Sequence, residues 1–336
     1  MTGVAPTPSM IFPADVESEF RGTTNPAFAA RMRAAWGAVG FAMVVAIGSA
    51  NDAAPVDEQW RETDWQGERA YVAGSGGYEA IVSVNRARLI HFGRAGGGEN
   101  LLYVPPDLSN RAEWGGHRVW LGPQTEWSRN WPPPVAWEAS AAESVDRDGA
   151  RLELLMPTTG DEWPRLRRVY EWKDGRLHCE ARIEGGRRAA QIIHVLQVLP
   201  TAEIQVKVAP TAEVPRGYVQ LHLGRGVQPL KTFSAPPHVE GQGDLVTLRF
   251  AGKMEKLGFP QQPLLARVGG ATFRVAPGIS SGRVESTPDE GFVTQVYFSG
   301  SRAPLIELEQ LSPQYARDQE ARFEIVIDPS ALPDAG

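Results

Sequence analysis

Two carboxylates stand one residue apart near the C-terminal end of the sequence. Glu307 and Glu309 lie in the apolar run 304–311, PLIELEQL. If this run is a strand, both carboxylates point to one face, because successive side chains of a strand alternate. Neighbouring carboxylates on a half-buried surface raise each other's proton affinity and can then serve as a protein acid or base. A surface strand with solvated acids is the alternative interpretation.

Aromatic and polar residues are concentrated in the segment 115–137. It carries His117, Arg118 and Gln124 behind two glycines, which let a backbone approach a ligand closely. Its tryptophans are Trp120, Trp127, Trp131 and Trp137. Aromatic rings beside arginine and glutamine suit stacking on sugars and hydrogen bonding to hydroxyl groups. The alternative is a long loop that packs its tryptophans over a sheet edge.

Three further residues are of types that could be functional. His194 lies in the apolar run 190–198 and is either a catalytic group or a neutral core histidine. Lys256 could bind an acidic sugar or be an ordinary surface lysine. The single cysteine, Cys179, alternates with apolar residues and is predicted to be a buried structural residue. The histidines are scattered and no metal-ligand spacing occurs, so we predict no metal and no cofactor.

Composition restricts the classes of partner. The chain has 336 residues and a formal net charge of −6. Nucleic-acid binding calls for a basic surface, and the sequence has no cluster of lysine and arginine with interleaved aromatics. A carbohydrate ligand, either a monosaccharide or an oligosaccharide, and a protein partner both remain compatible with this composition. The sequence leaves the oligomeric state open.

The first fifty residues have the pattern of a targeting segment. Arg31 and Arg33 precede the apolar run 34–47, which small residues follow up to Ala50. This pattern predicts a secretory signal that begins at Met32, after an N-terminal extension, and is cleaved near Ala50. The alternative is an N-terminal membrane anchor, although a spanning helix needs about 20 apolar residues. We expect an exported, periplasmic or extracellular protein whose mature chain does not insert into a membrane.

The remainder, 51–330, is predicted to be one all-β domain. Some fifteen short segments rich in branched and aromatic residues alternate with glycine, proline and aspartate turns. No stretch after residue 60 keeps a helical period over three turns. This pattern favours a large antiparallel sandwich over a parallel α/β sheet.

Four segments, in order, resemble motifs of the aldose 1-epimerase (galactose mutarotase) superfamily. The segment 115–124, GGHRVWLGPQ, resembles the Gly-Gly…Pro-Gln segment of hexose-6-phosphate epimerases. It resembles still more a signature of the uncharacterised bacterial mutarotase-like family called domain of unknown function 4380. The hairpin 159–184 and the strand 190–194, which ends in histidine, resemble the corresponding mutarotase elements. The segment 308–313, LEQLSP, resembles their Leu-Glu-x-Gln…Pro motif, one residue shorter.

The resemblance implies a β-supersandwich of large antiparallel sheets with a sugar-binding groove. It also implies that Glu309 is the base and His194 the acid of a cofactor-independent epimerase, with Glu307 tuning Glu309. Proton transfer alone suffices for that reaction. The remaining candidates for sugar binding are His117, Arg118, Trp120, Gln124 and Lys256.

The sequence also departs from the mutarotase pattern. The residues on both sides of His194 are apolar, and Gln124 stands where the uncharacterised family has glutamate. The Asn-Arg pair that bonds sugar hydroxyls has no clear equivalent, although Arg118 is a candidate. A non-catalytic carbohydrate-binding module is therefore the alternative function, followed by a hydrolase or lyase acting on polysaccharide.

Overall fold

Short segments of branched and aromatic residues form β-strands through most of the chain. The computed structural model describes residues 57–105, 114–128, 131–222 and 229–330. The predicted extension and secretory signal, 1–50, lie outside these ranges. Within them the structure is all-β, with large antiparallel sheets, which confirms the predicted fold class.

Three antiparallel sheets account for the described strands, numbered β1–β21. The first sheet, in spatial order, is β1 (Arg61–Trp65), β2 (Glu68–Ser75), β3 (Tyr78–Ser83) and β4 (Arg88–Arg94). The second is β12 (Val219–Gln220), β15 (Glu255–Phe259), β19 (Thr294–Phe298), β20 (Ile306–Tyr315), β10 (Ala190–Val198) and β5 (His117–Gly122), with β18 (Val284–Ser286) also pairing with β20. The third is β13 (Val239–Gln242), β14 (Leu245–Arg249), β11 (Glu203–Lys207), β16 (Leu264–Val268), β17 (Ala271–Ser281), β21 (Gln319–Asp328), β9 (Arg176–Gly185), β8 (Arg165–Lys173), β7 (Arg151–Leu155) and β6 (Ser144–Asp148).

Helical structure in the described ranges is short. The helix α1 spans Val135–Glu138, and two 3₁₀ turns span Gln124–Glu126 and Pro288–Gly291. No helix in these ranges is long and apolar enough to cross a membrane.

One buried apolar cluster takes side chains from all three sheets. Tyr71 of the first sheet, Leu308 of the second and Phe323 of the third all belong to it. Between the two larger sheets, the ring of His194 on β10 packs edge-on against Phe323 on β21, with ring centres 5.5 Å apart. Over residues 306–310, where β20 keeps a regular pairing with β10, the even-numbered side chains therefore face the core, and Glu307 and Glu309 face the opposite side of the second sheet.

Two of the segments that the sequence predicts as strands have different outcomes. The strand predicted over 151–155 coincides with β7. The strand predicted over 100–103 forms only an isolated bridge between Leu102 and Val198. The segment 115–137, for which a long loop is the alternative interpretation, contains a strand that the sequence does not predict: residues 117–122 form β5 in the second sheet.

Candidate functional site

The two carboxylates identified in the sequence do share one face of the second sheet. Strand pairing places Gln197, Glu307, Tyr297 and Lys256 in one row across β10, β20, β19 and β15. A second row, two residues further along each strand, runs through Arg118, Val195, Glu309, Gln295 and Gly258. Rows two residues apart present their side chains on the same face. We call this surface the polar face.

Arg118 is held on the polar face by a buried carboxylate from α1. Its Nε lies 3.0 Å and its Nη2 2.5 Å from Glu138 Oε1. The Trp120 indole donates to Glu138 Oε2 at 2.8 Å, and Arg88 Nη1 lies 3.3 Å from Oε1. Burial would raise the pKa of Glu138, but Arg118 and Arg88 hold it below its usual value. Glu138 is therefore an anion that fixes the orientation of Arg118.

Glu307 receives two donors from neighbouring strands. Gln197 Nε2 lies 2.6 Å and Arg118 Nη1 3.3 Å from Glu307 Oε1. The side chain is only 9% exposed. Burial raises the pKa of Glu307 and the neighbouring Glu309 adds to that effect, while Arg118 opposes it. Glu307 thus binds a proton more readily than an ordinary surface glutamate.

Glu309 pairs with the lysine of β15. Lys256 Nζ lies 2.7 Å from Glu309 Oε2, and the side chains are 20% and 5% exposed. The Glu309 side chain is thus almost buried, whereas the Lys256 side chain is partly exposed. The pair places a proton acceptor and a proton donor in direct contact on the polar face.

The side chains between these ion pairs on the polar face are also polar. Gln295 donates from Nε2 to Asp289 Oδ2 at 2.6 Å, and Asp289 belongs to the 3₁₀ turn Pro288–Gly291. Burial raises the pKa of Asp289, an effect that the Gln295 hydrogen bond and the charge of Lys256 oppose. Burial, together with Glu307 and Glu309, raises the pKa of Tyr297 to about 12. Tyr297 therefore keeps its proton at neutral pH.

An aromatic border lies beside Arg118. The Arg118 guanidinium carbon lies 4.9 Å from the ring centre of Trp120 and 5.6 Å from that of Trp131. The two indoles meet edge to face with ring centres 5.7 Å apart. Trp120 is buried, whereas Trp131 is 50% exposed. Trp131 thus offers an accessible aromatic surface next to the cation and carboxylates of the polar face.

Known proteins show a match in structure but not in sequence. No family model matches the chain, and no curated protein matches it. A galactose mutarotase-like protein from Lactobacillus casei superposes with a TM-score of 0.50 at 8% identity, over 77% of this chain and 99% of that protein. The fold is galactose mutarotase-like. A galactose mutarotase related enzyme from Lactobacillus acidophilus gives a TM-score of 0.48 at 10% identity, over 79% and 98% of the two chains.

The match to the Lactobacillus casei protein bears on the fold of the chain. The mutarotase-like architecture that the sequence motifs implied is present, at identities that carry no information about the reaction. The narrower resemblance to the uncharacterised bacterial family gains no support, because no family model matches.

Within the mutarotase-like fold, the two histidines singled out in the sequence lie on the core side of the second sheet. His194 pairs with Gln310 and not with Glu309, so its ring points away from the polar face. Its Nε2 lies 3.1 Å from the Phe323 carbonyl oxygen, and its Nδ1 lies 3.0 Å from Nε2 of His117. Burial lowers the pKa of His194 to about 4, and burial together with the neighbouring His194 holds the pKa of His117 well below its usual value. The structure does not bring His194 and Glu309 together.

The remaining sequence candidates fall into two groups. Arg118, Trp120, Lys256, Glu307 and Glu309 meet on the polar face. Gln124 lies in the exposed 3₁₀ turn Gln124–Glu126. The described residues contain no group of three or more metal-ligating side chains placed to hold an ion.

Four residues of the site escaped sequence reasoning: Glu138, Arg88, Gln197 and Tyr297. Glu138 lies four positions beyond the triple proline 132–134, a pattern that predicts extended chain and not a helix. Gln197 and Tyr297 stand in the same row as Glu307. A search for polar residues within otherwise apolar strands would have found Gln197, which is 2% exposed.

Proposed function

We propose that the polar face binds a carbohydrate and that Glu309 is the base of a cofactor-independent sugar epimerase. The observation that carries the proposal is the contact between the almost buried Glu309 carboxylate and the Lys256 ammonium, beside Glu307. Epimerisation at the anomeric carbon requires a base for the anomeric hydroxyl and an acid for the ring oxygen. Acceptor and donor thus stand together on one face.

Sugar recognition is supported by the other groups of the face. Carboxylates accept hydrogen bonds from hydroxyl groups, and Arg118 and Gln197 donate them. The half-exposed ring of Trp131 provides an apolar surface of the kind that stacks on a sugar ring. Ligand sites commonly combine such aromatic surface with a few oriented polar groups.

A non-catalytic carbohydrate-binding module is the second candidate. The observation that favours it is the position of His194, whose side chain points to the core side of the sheet while that of Glu309 points to the polar face. Under this alternative the ion pairs of the polar face only bind hydroxyl groups, and no proton transfer follows.

The two candidates are separated by polarimetry with freshly dissolved α-glucose and α-galactose, together with binding on a glycan array. For the epimerase we expect the wild-type protein to accelerate mutarotation and Glu309→Gln to lose roughly 10²–10⁴-fold of that acceleration, the usual contribution of a general base. The control is Glu62→Gln, an exposed glutamate on β1 that pairs with Arg69.

Each outcome assigns the function differently. Binding without acceleration supports the module and removes the epimerase. New reducing ends or unsaturated products from a polysaccharide would instead indicate a hydrolase or lyase. Failure to bind any sugar, in protein whose fold is verified by circular dichroism, would contradict the whole proposal.

Export is proposed separately from the chemistry of the site. The basic, apolar and small-residue pattern up to Ala50 supports it. N-terminal sequencing of protein from the extracellular or periplasmic fraction should give a chain that begins near residue 51. An intact N-terminus in the membrane fraction would instead indicate an anchor.

A further inference from the structure

We propose that Lys256 is the acid of this site and donates the proton that the sugar ring oxygen receives when the ring opens. The inference rests on the proposed epimerase function. The sequence motifs pointed to His194 as the acid, but His194 lies on β10 and on the core side of the sheet. Lys256 lies on β15 and on the polar face.

Strand pairing brings Lys256 to Glu309 across an intervening strand. Lys256 lies opposite Tyr297 on β19, which in turn lies opposite Glu307 on β20. From this row the lysine side chain reaches diagonally to Glu309, with 2.7 Å between Nζ and Oε2. The ammonium is therefore on the polar face, on a side chain that is 20% exposed.

The other donors of the polar face are poorer acids. An arginine guanidinium does not give up its proton in proteins, and Arg118 is engaged by Glu138 and Glu307. Tyr297 has its pKa raised to about 12, primarily by burial. Gln197 and Gln295 carry amides, which do not titrate. A lysine ammonium, unlike these groups, can lose a proton and regain it, and Lys256 is in direct contact with Glu309.

The charged and titratable groups facing Lys256 come from several elements. Glu307 and Glu309 face it from β20, Tyr297 from β19 and Asp289 from the 3₁₀ turn, with Arg118 and Glu138 further along the face. The charge of Lys256 acts on both Glu307 and Asp289. Lys256 therefore lies among carboxylates from two elements of the fold.

The proton transfers balance with these two groups alone. Glu309 takes the proton of the anomeric hydroxyl, the bond from the anomeric carbon to the ring oxygen breaks, and Lys256 protonates that oxygen. After rotation of the carbonyl group, the ring hydroxyl returns its proton to Lys256 while it attacks the carbonyl carbon. Glu309 then returns the other proton to the carbonyl oxygen. Both residues end in their initial states, so no oxidant, reductant or cofactor takes part.

The test compares Lys256→Gln, Lys256→Arg and Lys256→Ala with wild type by polarimetry, using a sugar that the wild-type protein turns over. We expect the rate constant to fall roughly 10²-fold or more in all three variants. Arginine keeps the positive charge without being a useful acid, so Lys256→Arg should not restore the rate. The control is Lys253→Gln, an exposed lysine three positions earlier.

Chemical rescue separates proton donation from a structural role. Added primary amines should restore turnover in Lys256→Ala, with a rate that depends on the pKa of the amine. Sugar affinity, measured by NMR titration, should change much less than the rate.

The inference is overturned if Lys256→Arg turns over at the wild-type rate, or if Lys256→Gln is unimpaired. In either case the wild-type activity, and with it the proposed function, survives. If wild-type protein accelerates no sugar, the epimerase and the role of Lys256 fall together, and sugar binding is decided by the titration.

Discussion

Glu138 on the short helix α1 and Arg118 on β5 form a buried ion pair, with Oε1 and Nη2 2.5 Å apart. Both side chains are 2% exposed. The pair joins the tryptophan-rich segment to the second sheet and aims the remaining donors of Arg118 at Glu307. The position of the guanidinium on the polar face thus depends on a carboxylate twenty residues further along the chain.

Removing this carboxylate charge should destabilise the protein strongly. In Glu138→Gln, Arg118 and Arg88 lose their shared counter-charge while they stay buried. Breaking a buried pair from one side typically costs about 3–5 kcal/mol. Urea unfolding should show this decrease in the free energy of unfolding, whereas Glu143→Gln, which breaks an exposed pair with Arg165, should stay close to wild type. Equal effects of the two substitutions would contradict the buried pair.

The buried His194 should make stability depend on pH in a defined window. Burial lowers its pKa to about 4, below the value near 6.5 expected in the unfolded chain. Between these two pKa values His194 is protonated in the unfolded state and neutral in the folded state. The free energy of unfolding therefore falls as the pH falls from about 6.5 towards 4.

In His194→Gln this contribution is absent. The difference in unfolding free energy between wild type and variant should therefore shrink on acidification, by up to about 3 kcal/mol. Urea titrations at several pH values measure it. A difference that stays constant from pH 7.5 to 4.5 would mean that the ring is solvated.

Two tryptophans of the segment 115–137 should respond differently to replacement by alanine. Trp137 is buried and packs edge-on against Trp163, with ring centres 5.1 Å apart. Its loss should cost about 3–5 kcal/mol of stability. Trp131 is half-exposed, so its loss should cost about 1 kcal/mol or less and mainly weaken sugar binding. Thermal unfolding and glycan binding report the two effects, and unimpaired binding by Trp131→Ala would remove it from the site.

Gly116, which leads into β5, should not tolerate a side chain. Its φ is +75°, and an added Cβ would collide with the Leu89 carbonyl oxygen. Gly149 also has a positive φ, +56°, but an added Cβ there meets open space. Gly116→Ala should therefore lose about 1–3 kcal/mol more than Gly149→Ala, which carries only the backbone strain. Matched urea unfolding curves test this, and equal losses would argue against the close approach.

The sequence was sufficient to predict the shared face of Glu307 and Glu309, because it depends only on the alternation within one strand. The face of His194 relative to Glu309 could not be obtained in this way. It depends on the pairing of β10 with β20, in which Val195 and not His194 lies opposite Glu309. A shift of one residue in that register exchanges the two faces, and a single sequence does not determine the register.

There is also a physical reason why the sequence did not predict β5 as a strand. All six residues of β5 are buried, so its sequence, HRVWLG, shows no alternation between polar and apolar positions. The role of Glu138 rests on a contact between α1 and β5. Such a contact is decided by tertiary packing, which local sequence preferences do not specify.

The ion pairs of the polar face have a consequence for selectivity. A hydroxyl group that binds to the polar face must break an existing ion pair, such as that between Lys256 and Glu309. It must then replace the ion pair with hydrogen bonds of equal strength. A small alcohol with a single hydroxyl gains little from this exchange of partners. A rigid ring with several hydroxyls at fixed spacing can satisfy many of the separated groups at once, so the molecule should discriminate among polyols by their stereochemistry more than by their polarity.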